Sequence, residues 1–104
     1  MARATITPTC GLTTKAQATA EDMQRVRLDI ESECAAIRKL AAELPEVNPF
    51  EEITKRGSGP RLLAAGQIYC SHTSCPVPAA LIKAVEVAAG LDLPKPVIIE
   101  ITDD

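Results

Sequence analysis

The sequence predicts an α+β fold, a two-layer sandwich in which a mixed sheet of about four to five strands carries two helices on one face. Three observations lead there. Val26, Leu28 and Ile30 alternate with Arg25, Arg27 and Asp29, the period of a half-buried strand. Two later segments, Glu33 to Leu44 and Pro76 to Ala89, repeat apolar residues at three- and four-residue steps, the period of an amphipathic helix. A β-branched run, Val97-Ile98-Ile99-Glu100-Ile101, follows Pro94 and Pro96 and reads as a closing strand with Val97, Ile99 and Ile101 inward. With 104 residues the chain suffices for one core, so residues 1–104 are expected to form a single domain.

Taken in order, Ala4 to Thr9 and Thr14 to Ala20 are rich in threonine and small residues and read as short strands parted by a Cys10-Gly11 turn. Glu21 to Gln24 makes a polar hairpin into the third strand, which starts at Arg25. Ser32 is suited to cap the first helix, whose end is set by Pro45, and Cys34 falls in its first turn. Pro45 to Pro60 is punctuated by prolines and glycines, so residues 45–60 are expected to form a flexible loop with a helical turn at Pro49 to Ile53. Arg61 to Tyr69 fits either period; the short space between Pro60 and Cys70 favours a buried strand. Pro76 opens the second helix, with Cys75 at its N-cap, and Gly90-Leu91 resembles a Schellman stop. The resulting order is roughly β-β-β-α-β-α-β. Strand, cysteine and helix recur twice, so Cys34 and Cys75 occupy matching helix starts and face one end of the molecule if the helices run in the same direction.

Composition removes several function classes. One tyrosine, one phenylalanine and no tryptophan leave little surface on which bases could stack, and eleven basic residues are scattered among fourteen acidic ones for a net charge of −3. No nucleic-acid partner is expected. The N-terminus lacks the apolar run of a signal peptide, and no stretch is long and apolar enough to span a membrane, so a cytoplasmic protein without a membrane partner is expected. Gly57-Ser58-Gly59 precedes a proline and opens no helix, which argues against a phosphate loop. A lone histidine offers no Ser-His-Asp set, and the acid pairs Glu51-Glu52 and Asp103-Asp104 read as solvated surface. Whether the protein is an enzyme is open, with a non-enzymatic role favoured.

What stands out is thiol content. The segment Cys70-Ser71-His72-Thr73-Ser74-Cys75-Pro76-Val77-Pro78 gathers two cysteines and the single histidine at the mouth of a helix, and Cys10 and Cys34 complete a set of four cysteines. A helix N-terminus favours thiolate over thiol, and thiolate is both the metal-ligating and the nucleophilic form. In a reducing cytosol four cysteines point to ligands or reactive thiols before disulfides, with buried structural cysteines as the plain alternative. Cys10, Cys34, Cys70 and Cys75 match the count for zinc or an iron–sulfur cluster, with His72 as a substitute ligand or a hydrogen-bond donor behind the ligands.

Cys75-Pro76-Val77-Pro78 followed by an apolar helix resembles the Cys-Pro-x-Pro motif of TusA-like sulfur carriers, over about the last thirty residues. That resemblance implies a persulfide on Cys75; the upstream Cys70 and His72 depart from the carrier pattern. Across nearly its full length the chain resembles an uncharacterised family of small proteins, chiefly from anaerobic bacteria and archaea. The marks are Cys10-Gly11, Ser32-Glu33-Cys34 and the segment from Cys70 to Pro78. An anaerobic setting raises the expectation of a cluster over zinc.

Two functions follow as expectations. One is a small electron-transfer or accessory module holding a metal through all four cysteines, with a protein redox or sulfur-transfer partner. The other is a thiol- or sulfur-transfer protein centred on Cys75 and resolved by Cys70 or Cys34. A homodimer formed through an Arg61 to Ile68 edge strand is a further expectation.

Overall fold

Side-chain alternation organises the first third of the chain as a meander of antiparallel strands. β1 (Ala2–Ile6), β2 (Thr14–Asp22) and β3 (Arg25–Ser32) pair in sequence, and a two-residue β4 (Glu46–Val47) closes the order β1-β2-β3-β4. The computed structural model describes residues 1–54 and 60–103. β1 ends before Pro8, which has no N–H to give a ladder, and the Gly11 N–H donates to the Pro8 carbonyl at 2.9 Å with Gly11 at φ +81°. Register follows burial: Ala2 lies opposite Ala18, Ala4 opposite Ala16, Ala18 opposite Leu28, and Val26 opposite Val47. All of these belong to the face turned to the helices, whereas Arg3, Lys15, Arg27 and Asp29 stand exposed on the other.

The alanines of β1 and β2 are small where a helix must approach. α4 (Val77–Ala88) lies across β1 and β2 with Leu81 and Val85 fully buried, and α1 (Ala35–Glu43) covers β3 with Ile37 and Leu40. α1 begins two residues later than the sequence suggests. Its N-cap is Cys34, and Ser32 instead accepts the Cys34 N–H at 3.0 Å on Oγ while sharing a 2.7 Å hydrogen bond with Thr14 Oγ1. α4 likewise starts one residue late, with Pro76 rather than Cys75 at the N-cap. Its stop is the expected Schellman motif: Leu91 N–H reaches Glu86 C=O at 2.8 Å, Gly90 N–H reaches Val87 C=O at 3.1 Å, and Gly90 sits at φ +77°.

Three expectations are corrected here. Arg61 to Tyr69 is not a strand but a helix, α3 (Arg61–Tyr69), so the edge-strand route to a homodimer disappears with it. Leu62, Ala65 and Gly66 are its buried residues, the i, i+3, i+4 spacing of a helix, while Leu63 and Ile68 point outward. Glu52 supplies the reason the helix starts where it does. It lies on α2 (Pro49–Thr54), the expected helical turn, and its carboxylate accepts the N–H groups of Arg61 and Leu62, each at 2.8 Å. At 1% exposure Glu52 is therefore a buried helix cap and not solvated surface, the second correction. The third concerns residues 97–101, which form no strand and remain exposed. With α3 in place of a strand, the sheet among the described residues is wholly antiparallel rather than mixed, and four helices replace two. Part of the expected flexible loop, residues 55–59 with Gly57-Ser58-Gly59, lies outside the described residues.

α3 and α4 meet at a point of near backbone contact. A Cβ added to Gly66 would stand 2.6 Å from Pro78 Cγ and 3.1 Å from Pro78 Cβ, so the second proline of Cys75-Pro76-Val77-Pro78 seats on a glycine-sized gap in α3. That seat fixes how the end of α3 meets the start of α4.

Candidate thiol site

Three helix ends converge where α3 hands over to α4. Cys34 is the N-cap of α1, Cys70 is the C-cap of α3, and Cys75 immediately precedes the N-cap of α4. The cysteine at the C-terminal end of α3 lies near the cysteines at the starts of α1 and α4. Backbone bonds hold each in place: Cys70 N–H donates to Gly66 C=O at 2.9 Å, Cys75 N–H to His72 C=O at 3.2 Å, and Arg38 N–H to Cys34 C=O at 3.0 Å. All three side chains are half-buried against the core.

The Cys70 thiol is pushed up to about 11. Burial is the largest cause, because charge is costly away from water; the neighbouring Cys75 follows through charge and hydrogen bonding, and Cys34 adds a smaller push. Cys70 is thus a protonated thiol at neutral pH, its proton held first by burial and then by the two neighbouring sulfurs. All four cysteines are free thiols.

Cys10 stands apart, exposed in the turn between β1 and β2. Its loop is nevertheless tied to the same end of the molecule. Thr13 N–H donates to Glu33 Oε1 at 2.7 Å, and Glu33 N–H donates to Thr13 C=O at 3.1 Å, one residue before Cys34. His72 is exposed in the loop from Cys70 to Cys75, where its carbonyl accepts the Cys75 N–H. Among the described residues no three His, Cys, Asp or Glu side chains stand ready around a common metal position. The three clustered thiols must turn toward one point before they bind an ion together.

Tyr69, next to Cys70, closes one flank: its hydroxyl donates to Glu43 Oε1 at 2.9 Å, and that hydrogen bond raises the phenol above its usual value. Sequence spacing alone gave no signal for two contributors to the site's frame, Gly66 and Glu52. Gly66 is marked only by being a glycine inside an apolar helical run, and Glu52 only by an acid placed nine and ten residues before the amides it caps.

Fold and site together define a small α+β protein with an open-faced antiparallel meander and a thiol cluster at a three-helix junction. The chain belongs to a family of unknown function, DUF6951, whose model matches residues 2–101. No curated protein matches the chain. No solved structure matches it either. No helix among the described residues is long and apolar enough to cross a membrane.

Proposed function

We propose that this protein binds one soft metal centre, an iron–sulfur cluster or a zinc ion, at the junction of α1, α3 and α4, and acts as an electron-transfer or accessory module for a protein partner. The observation that carries the reading is the convergence of Cys34, Cys70 and Cys75 from three separate elements onto one another. The unmetallated Cys70 thiol holds its proton, and a soft cation that displaces it offsets the penalty of burying a charged sulfur beside its neighbours. Cys10 is the fourth ligand, brought in by a loop already tethered beside Cys34. His72 stands in for Cys10 if that loop does not close.

Protein purified without oxygen and assayed for iron, acid-labile sulfide, zinc and visible absorption tests the reading. One cluster or one zinc per chain, lost in Cys34→Ser, Cys70→Ser and Cys75→Ser, is the expected result. A Cys10→Ser variant that stays fully loaded removes Cys10 from the ligand set, and metal-free protein from anaerobic cells overturns the proposal.

A second reading has its own observation, the pairing of Cys70 with Cys75 at the start of α4. There Cys75 acts as a sulfur carrier, as its resemblance to TusA-like proteins implies. Its thiolate takes the terminal sulfur of a donor persulfide, the donor S–S bond breaks, and the donor leaves as a thiolate. This reading requires Cys75 alone for sulfur uptake. Mass spectrometry of Cys75→Ser after exposure to a persulfide donor decides it: retained uptake of one sulfur at another cysteine sinks the carrier reading.

A further inference from the structure

Among the described residues the chain carries an unpaired strand-forming segment and an unpaired sheet edge, and the two match. Residues 97–101 are rich in β-branched side chains and stand in solvent, with Val97 63%, Ile98 75%, Ile99 68% and Ile101 82% exposed. β1 is the edge strand of the sheet, with β2 on one side and no strand on the other among the described residues. On its core face Ala4 and Ile6 are only partly buried, as expected where the apolar layer lacks its last neighbour.

We infer that residues 97–101 add as an antiparallel strand to β1 of a second copy of this chain, each copy donating its tail to the other about a two-fold axis. One register turns three of the four large apolar residues inward and pairs the charges. Setting Glu100 opposite Arg3 places Ile101 opposite Ala2, Ile99 opposite Ala4 and Val97 opposite Ile6, so the three large inward residues extend the apolar face beside small or apolar partners. Ile98 and Glu100 then fall on the open face beside Thr5 and Arg3, and the charge pair is complementary. A one-residue slip would turn Ile99 outward and separate the charges.

Chain direction selects the second copy over the molecule's own edge. α4 starts at the thiol end, where β1 finishes and β2 begins, because Ile6 pairs with Thr14 and Thr14 with Ser32, two residues before Cys34. It ends at the opposite pole, where Ala88, Ala89 and Leu91 lie against Ala20, Asp22 and Met23, near the start of β1. The tail therefore leaves beside Ala2, where Lys95 N–H donates to Leu93 C=O at 2.8 Å across Pro94, and could meet its own β1 only in parallel or by doubling back along the whole strand. A tail arriving from a two-fold mate enters antiparallel without that reversal.

Sedimentation or light scattering of the full chain at micromolar concentration is expected to give twice the single-chain mass of 11.0 kDa. Ile99→Asp, at a position 68% exposed in the single chain, is expected to give the single-chain mass with the helical signal of the far-ultraviolet spectrum retained. Arg3→Glu is expected to weaken the dimer about tenfold over its two symmetric sites, and Arg3→Glu with Glu100→Arg to restore it. A monomeric wild type overturns the inference, and so does a dimer that survives Ile99→Asp. Protection of amides 97–101 from exchange within a monomer assigns the tail to its own edge. A dimer lost by Ile99→Asp but indifferent to the charge exchange refutes the register. Assembly without metal, or metal without assembly, separates this inference from the thiol-site proposal.

Discussion

Replacing Gly66 with alanine sets two known effects against each other, and the geometry decides between them. In a helix interior alanine is favoured over glycine by about 0.5–1 kcal/mol, so local propensity alone predicts a more stable protein. The new methyl would lie 2.6 Å from Pro78 Cγ, well inside the roughly 3.5–4.0 Å at which carbon atoms attract. Relief demands that α4 withdraw by about 1 Å, and Pro78 is a rigid ring on a buried helix start whose side chain has no rotamer to escape into. Overpacking of this kind costs about 1–3 kcal/mol, and the net expectation for Gly66→Ala is a loss of about 1–2 kcal/mol in urea unfolding. The same withdrawal parts Cys70 from Cys75, so the Cys70 thiol is expected to titrate below about 11 while burial still holds it above the ordinary value of 9.0 in a thiolate absorbance titration. A Gly66→Ala protein at least as stable as the parent, with Cys70 unmoved, would show that the proline seat does not hold the thiol junction.

Glu52→Ala is expected to cost about 2–3 kcal/mol, since it orphans the buried Leu62 N–H and the part-buried Arg61 N–H, which now donate to its carboxylate, and Glu52→Gln about half as much because one acceptor survives; chemical denaturation of the three proteins measures both. For Cys70, a folded-state titration near 11 against 9.0 for an unperturbed thiol means that the unfolded chain releases its proton first as pH rises. Native stability is therefore expected to be undiminished by this group below about pH 9 and to fall between about 9 and 11, a slope that Cys70→Ala reduces and that the raised Tyr69 phenol continues to contribute to above about pH 10. The same shift lowers the thiolate fraction about a hundredfold, so iodoacetamide at pH 8 is expected to label Cys70 at least that much more slowly in native than in urea-unfolded protein; equal rates would contradict the buried, sulfur-crowded environment.

Where the sequence was legible, one physical signal dominated. Strict alternation from Arg25 onward yields β3, and the apolar steps at Ile37, Leu40 and Leu44 yield α1, because each pattern suits only one backbone period. Arg61 to Tyr69 misleads because Leu62-Leu63-Ala64-Ala65 is apolar in either period. The deciding interaction, the carboxylate of Glu52 on two backbone amides, is tertiary and leaves no mark at the helix start itself, where Pro60 makes no side-chain cap. Residues 97–101 have every local feature of a strand and no partner in the described sheet, a case in which propensity is correct about the segment and silent about where it pairs. For the thiols, the matching helix-start positions of Cys34 and Cys75 were visible, whereas Cys70 joins them only because α3 is a helix whose C-terminal end lies near them.

The helical state of Arg61 to Tyr69 links fold to chemistry. Had Arg61 to Tyr69 been a strand, Cys70 would lie at a sheet end, and its thiol would meet Cys34 and Cys75 only if the sheet terminated beneath both helices. As a helix packed between α1 and α4, α3 delivers Cys70 into the space between their N-termini, where two helix dipoles favour negative sulfur and burial opposes it. The balance leaves the Cys70 thiol resisting ionisation. α4 then separates this site from the tail by its full twelve residues, about 18 Å of helix, which puts the thiol chemistry and the proposed strand exchange at opposite poles of one rigid element. Variants at Cys75 and at Ile99 are accordingly expected to act independently, and a double variant whose effects on metal content and on mass do not simply combine would mean that α4 couples the two.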